Sequence, residues 1–394
     1  MVHEVRKKNS VAPVRAFARK HGCRPGGGAR LVLSLVIFAV LAGCAAGEKK
    51  EPPAPPAPTS KAIESVDPFM GDWQGRWELD DGSDSGPLVA QVIALGKGQY
   101  QARLLESFDA RVDPYIVLQG GREDSKVRLS GHSKLRNDAV DLNAQAVIEG
   151  DKLTGTFKGR QEGDGQEYPG KFSLSRAIRL SPTLGAKPPR GAIVLFDGKN
   201  FDQWRPAEKK PGQEAVQWII YPDWVGGGAM EVKPGTGSII TKKEFTDCKL
   251  HLEFRTPFMP EARGQGRGNS GVYLQGRYEV QILDSYGLEG LDNECGGIYR
   301  VAAPLVNMCA PPIQWQTYDI TFRAPRFDQA GNKKSDPCLT VIHNGVKIHD
   351  QVNVPGATTA ALGGDAVKPG GIYLQDHGNL VQFRNIWLVE QNGG

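Results

Sequence analysis

Short apolar segments that alternate with polar residues recur along most of this chain, and turn residues separate them. Successive side chains of a strand point to opposite faces of the sheet, so this two-residue period is typical of strands with one buried face. Glycine and proline are abundant, with 49 and 27 occurrences among 394 residues, and long helical periodicities are absent. The pattern predicts an all-β protein whose short antiparallel strands are joined by tight turns.

The first 43 residues have the composition of an export signal. A basic region precedes an apolar stretch at 31–43, LVLSLVIFAVLAG, which is too short for a comfortable membrane span but suits a secretory signal. The stretch leads into Leu-Ala-Gly-Cys, which resembles the bacterial lipobox. We expect residues 1–43 to be a lipoprotein signal peptide and Cys44 to carry the lipid. The alternatives are an ordinary signal peptide or a short anchor with an incidental cysteine.

The same leader accounts for the basic balance of the chain. The formal net charge is +4, and the first 30 residues contribute +7 through eight basic residues and one acidic residue, so the remainder is close to −3. This distribution gives no support for nucleic-acid binding. The leader, with its apolar stretch and Cys44, predicts an exported, membrane-anchored lipoprotein. In a Gram-negative cell it would be located at the outer membrane or in the periplasm.

Composition divides the rest of the chain into four segments. Residues 44–66 contain EPPAPPAPTS and are expected to form an extended tether. Residues 67–181 contain about eight strand-like segments, which predicts a small lipocalin-like barrel or a compact sandwich. Residues 182–191 form a proline-containing linker, and residues 192–392 are expected to form a larger antiparallel jelly-roll sandwich.

One motif occurs twice in the second half of the chain, as SGVYLQ at 270–275 and as GGIYLQ at 370–375. Alternation places Tyr273 with Gln275 on one face of the first strand, and it does the same for Tyr373 and Gln375 in the second. Such polar and aromatic rows suit sugars, whose rings offer hydroxyl edges and C–H faces. The alternative is a solvated outer face, and the repetition favours a binding surface.

Five longer segments, in order, resemble the bacterial 3-keto-disaccharide hydrolase family over residues 192–390. They are LFDGKNFDQW, HLEFR, RGNSGVYLQGRYEVQILDSYG, GGIYRVAAPLVNMCAPPIQWQTYDITF and IYLQDHGNLVQFRNIWLVE. The resemblance implies a concanavalin-like jelly roll and an enzyme that cleaves the glycosidic bond of a sugar oxidised at C3. We expect deprotonation at C2 and elimination, with or without hydration, and no redox cofactor. The alternative is a lectin-like surface lipoprotein that binds carbohydrate without catalysis.

Glu279 is the first catalytic candidate. The segment RYEVQILD at 277–284 places Glu279 and Gln281 on one face, opposite apolar neighbours. Ordinary glycoside hydrolysis needs two carboxylates beside the anomeric carbon, and this face offers only one. The single acid favours the elimination route over conventional hydrolysis, while a surface salt bridge is the alternative role.

Two further catalytic candidates are Arg255 and His377. Arg255 alternates with apolar residues in KLHLEFR and could donate hydrogen bonds to an enolate oxygen. His377 is a candidate base near neutral pH, and it could join Asp376 and Glu279 in holding a divalent metal ion of unknown identity. A solvated strand face and a structural histidine are the alternatives.

The remaining candidates would bind the sugar or brace the fold. Gln281, Arg267 and Asn269 could hydrogen-bond sugar hydroxyls. Trp315 and Tyr299 could stack on a sugar ring, and a core role is the alternative for Trp315. Cysteines 295 and 309 are expected to form a disulfide in an oxidising compartment, with Cys248–Cys338 as the less certain remainder and buried free thiols as the alternative. The oligomeric state does not follow from the sequence.

Overall fold

The computed structural model describes residues 67–391, apart from 136–138, 164, 209–211, 213, 222–227 and 365. The export signal, the tether and Cys44 therefore lie outside the described residues. In the described part of the chain, no helix has the length and hydropathy required to cross a bilayer. Strands dominate these residues, which confirms the predicted all-β class.

Eight antiparallel strands close into a barrel, in which each strand pairs with the next and the last pairs with the first. They are β1 (Gly71–Leu79), β2 (Ser85–Gly96), β3 (Gln99–Leu105), β4 (Ile116–Glu123), β5 (Lys126–Leu135), β6 (Val140–Glu149), β7 (Lys152–Gln161) and β8 (Glu167–Ala177). Inward-facing apolar side chains such as Trp73 and Leu118 are fully buried. Closure leaves no unpaired strand edge in the barrel, and of the two predicted alternatives, a small barrel and a compact sandwich, the structure shows the barrel.

The second half of the chain forms shorter strands. They are β9 (Ile193–Phe196), β10 (Trp204–Pro206), β11 (Ile219–Tyr221), β12 (Ala229–Glu231), β13 (Ile239–Thr241), β14 (Cys248–Arg255), β15 (Ser270–Leu274), β16 (Tyr278–Ile282), β17 (Gln316–Arg323), β18 (Arg326–Phe327), β19 (Lys333–Ser335), β20 (Cys338–His343), β21 (Val346–Asn353), β22 (Tyr373–Leu374) and β23 (Gln382–Glu390). One 3-10 turn, Gly264–Gly266, precedes β15.

These strands build two main sheets, as expected for a jelly-roll sandwich. The smaller sheet has the order β10–β13–β22–β15–β16, and the larger has the order β11–β12–β23–β14–β17–β20–β21, with β9 also paired to β23. Apolar residues of both sheets, among them Leu252, Phe254, Val272 and Val280, belong to one buried cluster. The opposite face of each sheet therefore points away from this core.

The connection between barrel and sandwich lies against the outer face of the larger sheet. We call residues 181–186 the strap. The backbone N–H of Gly185 donates to Glu253 at 2.6 Å, and the Thr183 hydroxyl donates to Asp319 at 2.7 Å. The side chain of Asn385 donates to the Ala186 carbonyl at 3.0 Å. The first half of the predicted linker is thus bound to the sandwich by side chains of three strands.

The structure does not contain the predicted disulfides, since all four described cysteines are free. Cysteines 295 and 309 are both buried, and their thiols lie close enough for each to influence the pKa of the other. Cys248 and Cys338 cannot pair in this fold, because β17 lies between their strands. Two strand spacings, roughly 10 Å, exceed the Cα separation that a disulfide tolerates.

Candidate active site

The repeated motif brings its two tyrosines together on the outer face of the smaller sheet. β15 and β22 are antiparallel neighbours, and Tyr273 lies directly opposite Tyr373. On either side, Glu279 of β16 is opposite Tyr273, and Ile240 of β13 is opposite Tyr373. One row across four strands therefore carries an apolar side chain, two phenols and a carboxyl group, as the alternation predicted for Tyr273 and Glu279.

The two tyrosine rings pack edge to face, with centroids 4.8 Å apart and planes at 86°. With Ile240 they form a small apolar cluster that is separate from the main core. Burial raises the pKa of Tyr273, and the negative charge of Glu279 raises it further. The phenol of Tyr273 therefore keeps its proton near neutral pH and can donate a hydrogen bond.

Glu279 is the carboxyl group of this row, and the protein buries it almost completely. Its side chain is 3% exposed. Burial raises its pKa from an ordinary 4.5 to about 8, although the neighbouring hydroxyl of Tyr273 opposes the shift. A carboxyl group whose pKa lies near neutrality can take up and release a proton under physiological conditions, which is the property of a general base.

A glycine makes room for this carboxyl group. Gly271 of β15 lies two residue pairs away from Glu279, opposite Gln281. A methyl group on Gly271 would overlap with Oε1 of Glu279 and would lie 3.0 Å from Cε2 of Tyr273. Glycine is thus required at position 271 because the carboxyl group of Glu279 approaches the backbone closely there, and not because the chain turns.

A segment between β21 and β22 covers this face. The hydroxyl group of Thr358 accepts a hydrogen bond from the Glu279 backbone N–H at 3.0 Å, and the Thr359 carbonyl accepts one from the Tyr273 hydroxyl at 3.2 Å. The Leu362 backbone N–H donates to the Gly276 carbonyl at 3.0 Å. These contacts help to bury Glu279 and so contribute to its raised pKa.

Carboxamides lie on the other side of Glu279. The side chain of Gln281 donates to Gln265 at 3.1 Å, and Gln265 also accepts from Asn269 at 3.1 Å. The side chain of Gln375 donates to the Tyr273 hydroxyl at 3.2 Å. The side-chain oxygen of Asn269 is buried and makes no protein hydrogen bond. Three predicted sugar-binding residues, Gln281, Asn269 and Gln375, thus meet near the predicted base.

Two other predicted binders have partners within the protein. Gln275 follows the last residue of β15 and has a φ of +55°, and its side-chain amide donates to the Phe245 carbonyl at 3.0 Å. Because the alternation of the strand stops there, Gln275 does not take a position equivalent to that of Gln375 beside Tyr273. Arg267 forms a buried ion pair with Asp284 at 2.7 Å, although one of its terminal nitrogens has no hydrogen-bond partner in the structure.

Asp376 and His377 lie in the turn that follows β22. The carboxyl oxygens of Asp376 accept from the backbone N–H groups of Gly237 and Gly378, at 3.0 and 2.9 Å, and His377 is exposed. Within the described residues, no three His, Cys, Asp or Glu side chains converge in a group that could hold a metal ion. Glu279, Asp376 and His377 thus do not form a ligand set in this arrangement, and metal dependence stays a prediction.

Arg255 and Trp315 lie on the other sheet. Arg255 belongs to β14, where Phe254 faces the core, so its side chain is on the outer face of the larger sheet. Its guanidinium lies 4.7 Å from the Trp315 ring, and that of Arg384 lies 4.2 Å from the same ring. The core therefore separates both residues from Glu279, because alternation indicates which face a side chain takes but not which sheet its strand joins.

Three residues near Glu279 were missed as site candidates or given little weight. Thr358 and Gln265 lie in loops, where alternation carries no information, although Gln265 falls within a glycine-rich run. Tyr299 was considered only for stacking; its backbone N–H donates to the Glu279 carbonyl at 3.2 Å, and its phenol adds to the rise in the pKa of Tyr273. Its pairing with β16 is a long-range contact that no local pattern reports.

Comparison with known proteins identifies the second half of the chain. A family model described as a 3-keto-alpha-glucoside-1,2-lyase-like domain matches residues 191–389, which confirms the resemblance seen in the sequence. No curated protein matches. A crystal structure from Parabacteroides distasonis, of a protein proposed to be a glycosyl hydrolase, is 37% identical over 52% of this chain and 85% of that chain, with a TM-score of 0.45. A second from the same organism is 18% identical over 51% and 95%, with a TM-score of 0.37.

Proposed function

The chain belongs to the family of 3-keto-alpha-glucoside-1,2-lyase-like domains, and on that premise we propose that it is an enzyme that cleaves the glycosidic bond of 3-keto-glycosides, including 3-keto-disaccharides. Action on a glycoside is the broader part of the proposal. The oxidised sugar and the elimination route are the finer part, and the buried carboxyl group of Glu279 is the observation that carries them.

A ketone at C3 changes the chemistry of bond cleavage. It acidifies the hydrogen on C2, so one base can remove that proton and leave an enolate. The electron pair then forms the C1–C2 double bond and expels the oxygen at C1, which takes up a proton as it leaves. Addition of water to C1 would complete a net hydrolysis. The route needs one base, donors for the enolate oxygen and an acid for the leaving group.

Glu279 is suited to the role of the base. A pKa of about 8 makes the ionised form of Glu279 a stronger base towards a C–H proton than a carboxylate of ordinary pKa. The absence of a second acid on β16 is no obstacle, because elimination does not need the pair of carboxylates that ordinary glycosidases use.

The neighbouring groups supply the other roles in this proposal. Tyr273, which stays protonated, and the amide of Gln375 would donate hydrogen bonds to the enolate or to ring hydroxyls. Gln281 and Asn269 would bind hydroxyls further along the face. His377, exposed in the turn two residues beyond Gln375, would protonate the leaving oxygen. None of these steps transfers electrons to an acceptor, so the proposal includes no redox cofactor.

The cellular setting is also a proposal. The basic leader, the apolar stretch and the cysteine at 44 support export and lipid anchoring. The proline-rich segment after that cysteine would hold the enzyme away from the membrane, where it would meet soluble sugar substrates.

The test compares a 3-keto-glucoside with its unoxidised parent. The purified protein should release the aglycone from the keto compound and leave the parent intact. Glu279→Gln should lower kcat by about 10²-fold or more, the usual contribution of a general base. Glu244→Gln, at an exposed position, is the matched control and should retain full activity.

The other outcomes distinguish the alternatives. Binding of the keto compound without turnover would indicate a lectin-like protein. Turnover of the unoxidised parent would indicate a conventional glycosidase. If Glu279→Gln and His377→Ala both retained full activity, the assignment of the site to this face would be wrong.

A further inference from the structure

The connection between β16 and β17 forms the edge of the sheet beside the proposed base. Residues 283–315 contain no strand of the two main sheets, yet part of this connection pairs with β16. The Gln281 N–H donates to the Gly297 carbonyl at 2.9 Å, and the Tyr299 N–H donates to the Glu279 carbonyl at 3.2 Å. Residues 296–299, which we call the edge segment, therefore help to fix the position of Glu279.

The same connection is held by the barrel a few residues earlier. The Tyr286 hydroxyl donates to Asp72 at the start of β1 at 2.8 Å, and Arg103 of β3 donates to the Gly287 carbonyl at 2.6 Å. Gly287 has a φ of +69°, and a methyl group there would lie 2.5 Å from Ile93 of β2. The barrel thus approaches this backbone so closely that only glycine fits without displacement.

A barrel arginine holds the connection on both sides of the edge segment. Arg111, in the loop between β3 and β4, donates to the Gly290 carbonyl at 3.1 Å and to the Pro304 carbonyl at 3.0 Å. These two carbonyls flank residues 296–299. Movement of the connection away from the sheet would therefore break contacts with the barrel as well as with β16.

The hydrogen bond from Tyr286 to Asp72 is buried and charge-assisted. Asp72 is 3% exposed and Tyr286 is fully buried. The second oxygen of Asp72 accepts from Arg179 at 2.7 Å. Burial and the nearby Asp72 charge raise the pKa of Tyr286 well above 10, so its hydroxyl remains a donor. Hydrogen bonds of this kind are stronger than those between neutral groups, and a buried carboxylate that loses one is left poorly solvated.

We propose that the barrel is a positioning module for the glycoside-cleaving site, acting through Asp72, Arg103 and Arg111 on the connection that carries the edge segment. The proposal rests on the proposed function for its catalytic consequence, but its mechanical claim stands on the contacts alone. The barrel residues touch neither substrate nor Glu279, so they are positioning residues. Their loss should alter how precisely Glu279 and its neighbours are held.

The experiment uses Tyr286→Phe and Arg111→Gln in the full chain. Amide hydrogen exchange of the peptide that contains residues 296–299 should accelerate about tenfold, as expected when a charge-assisted hydrogen bond is lost. On a 3-keto-glucoside, kcat should fall with little change in KM, and the pH midpoint of kcat/KM should shift because the surroundings of Glu279 change. Tyr168→Phe, whose hydroxyl donates to Gln161 within the barrel at 3.5 Å, is the matched control.

Each outcome separates this inference from the proposed function. Faster exchange of the edge segment supports positioning even if no glycoside is cleaved, in which case only the proposed function fails. Unchanged exchange and an unchanged pH midpoint in Tyr286→Phe and Arg111→Gln would overturn the inference, whatever the activity. If Tyr286→Phe unfolds, the exposed Arg111→Gln decides, because that substitution leaves the buried contact intact.

Discussion

At the scale of single residues, the chemistry of this site depends on how far one carboxyl group is buried. Glu279 acts as a base only when ionised, and burial holds its pKa at about 8. We therefore predict that the ascending limb of the pH profile of kcat/KM on a 3-keto-glucoside has its midpoint near pH 8, whereas a descending limb would report the general acid. A pH–rate profile measures this directly. A rise centred near pH 4.5 would contradict the raised pKa of Glu279.

The same pKa predicts a dependence of stability on pH that needs no substrate. A carboxyl group whose pKa is raised in the folded state stabilises the fold below pH 4.5, and this contribution is lost as pH rises to about 8. The loss could reach about 5 kcal/mol. Urea unfolding at pH 5 and pH 8 should show a smaller decline in Glu279→Gln than in wild type. Glu244→Gln should decline like wild type, and equal declines in all three proteins would contradict the assignment.

Gly271, which lies against the carboxyl group of Glu279, provides a further test at the scale of single residues. Gly271→Ala should displace the Glu279 side chain, because the added methyl group overlaps with Oε1. We expect kcat to fall by about tenfold or more while the fold is retained. Gly266→Ala is the matched control, since a methyl group there meets nothing within 4 Å. Equal activity in both variants would place the reacting carboxyl group elsewhere.

At the scale of elements, a row of polar residues on β14 holds the strap against the larger sheet and takes no part in the proposed chemistry. Burial alone would raise the pKa of Glu253, but His251 and Arg384 outweigh it and bring the pKa to about 2. His251 in turn donates to Asp319 at 2.6 Å and stacks on Trp387 at 4.8 Å. This network holds the strap and is separated from Glu279 by the core.

We predict that Glu253→Gln weakens the fold without impairing the proposed chemistry. Removing a buried, paired carboxylate should cost about 3 kcal/mol at neutral pH. Because the pKa of Glu253 is lowered in the folded state, this stabilisation is present above pH 4.5 and lost as pH falls towards 2. Urea unfolding and hydrogen exchange of residues 183–186 measure the effect. A loss of kcat with unchanged stability would instead indicate that this face is the active site.

At the scale of the whole molecule, the proposed lipid anchor would hold the barrel and the sandwich at a membrane. If Cys44 carries the lipid, Cys44→Ser should move the protein from the membrane fraction to the soluble fraction of cells. Cys23→Ser, within the basic leader, should leave the distribution unchanged. Immunoblots of fractionated cells measure both variants. Equal membrane association of Cys44→Ser and wild type would refute lipid anchoring at this cysteine.

The sequence by itself left a barrel and a compact sandwich open for residues 67–181. It determined the strand character of both halves of the described chain, the jelly-roll sandwich and the shared face of Tyr273 and Glu279. These features follow from a two-residue alternation, which is a local property of the chain. Only the tertiary structure decided that Arg255 and Trp315 belong to the opposite sheet, that Gln275 leaves the row, and that the barrel reaches the edge of β16. Sheet membership and burial arise from contacts between residues far apart in the chain. For the same reason the raised pKa of Glu279, on which the proposed chemistry depends, could not be foreseen from its neighbours in sequence.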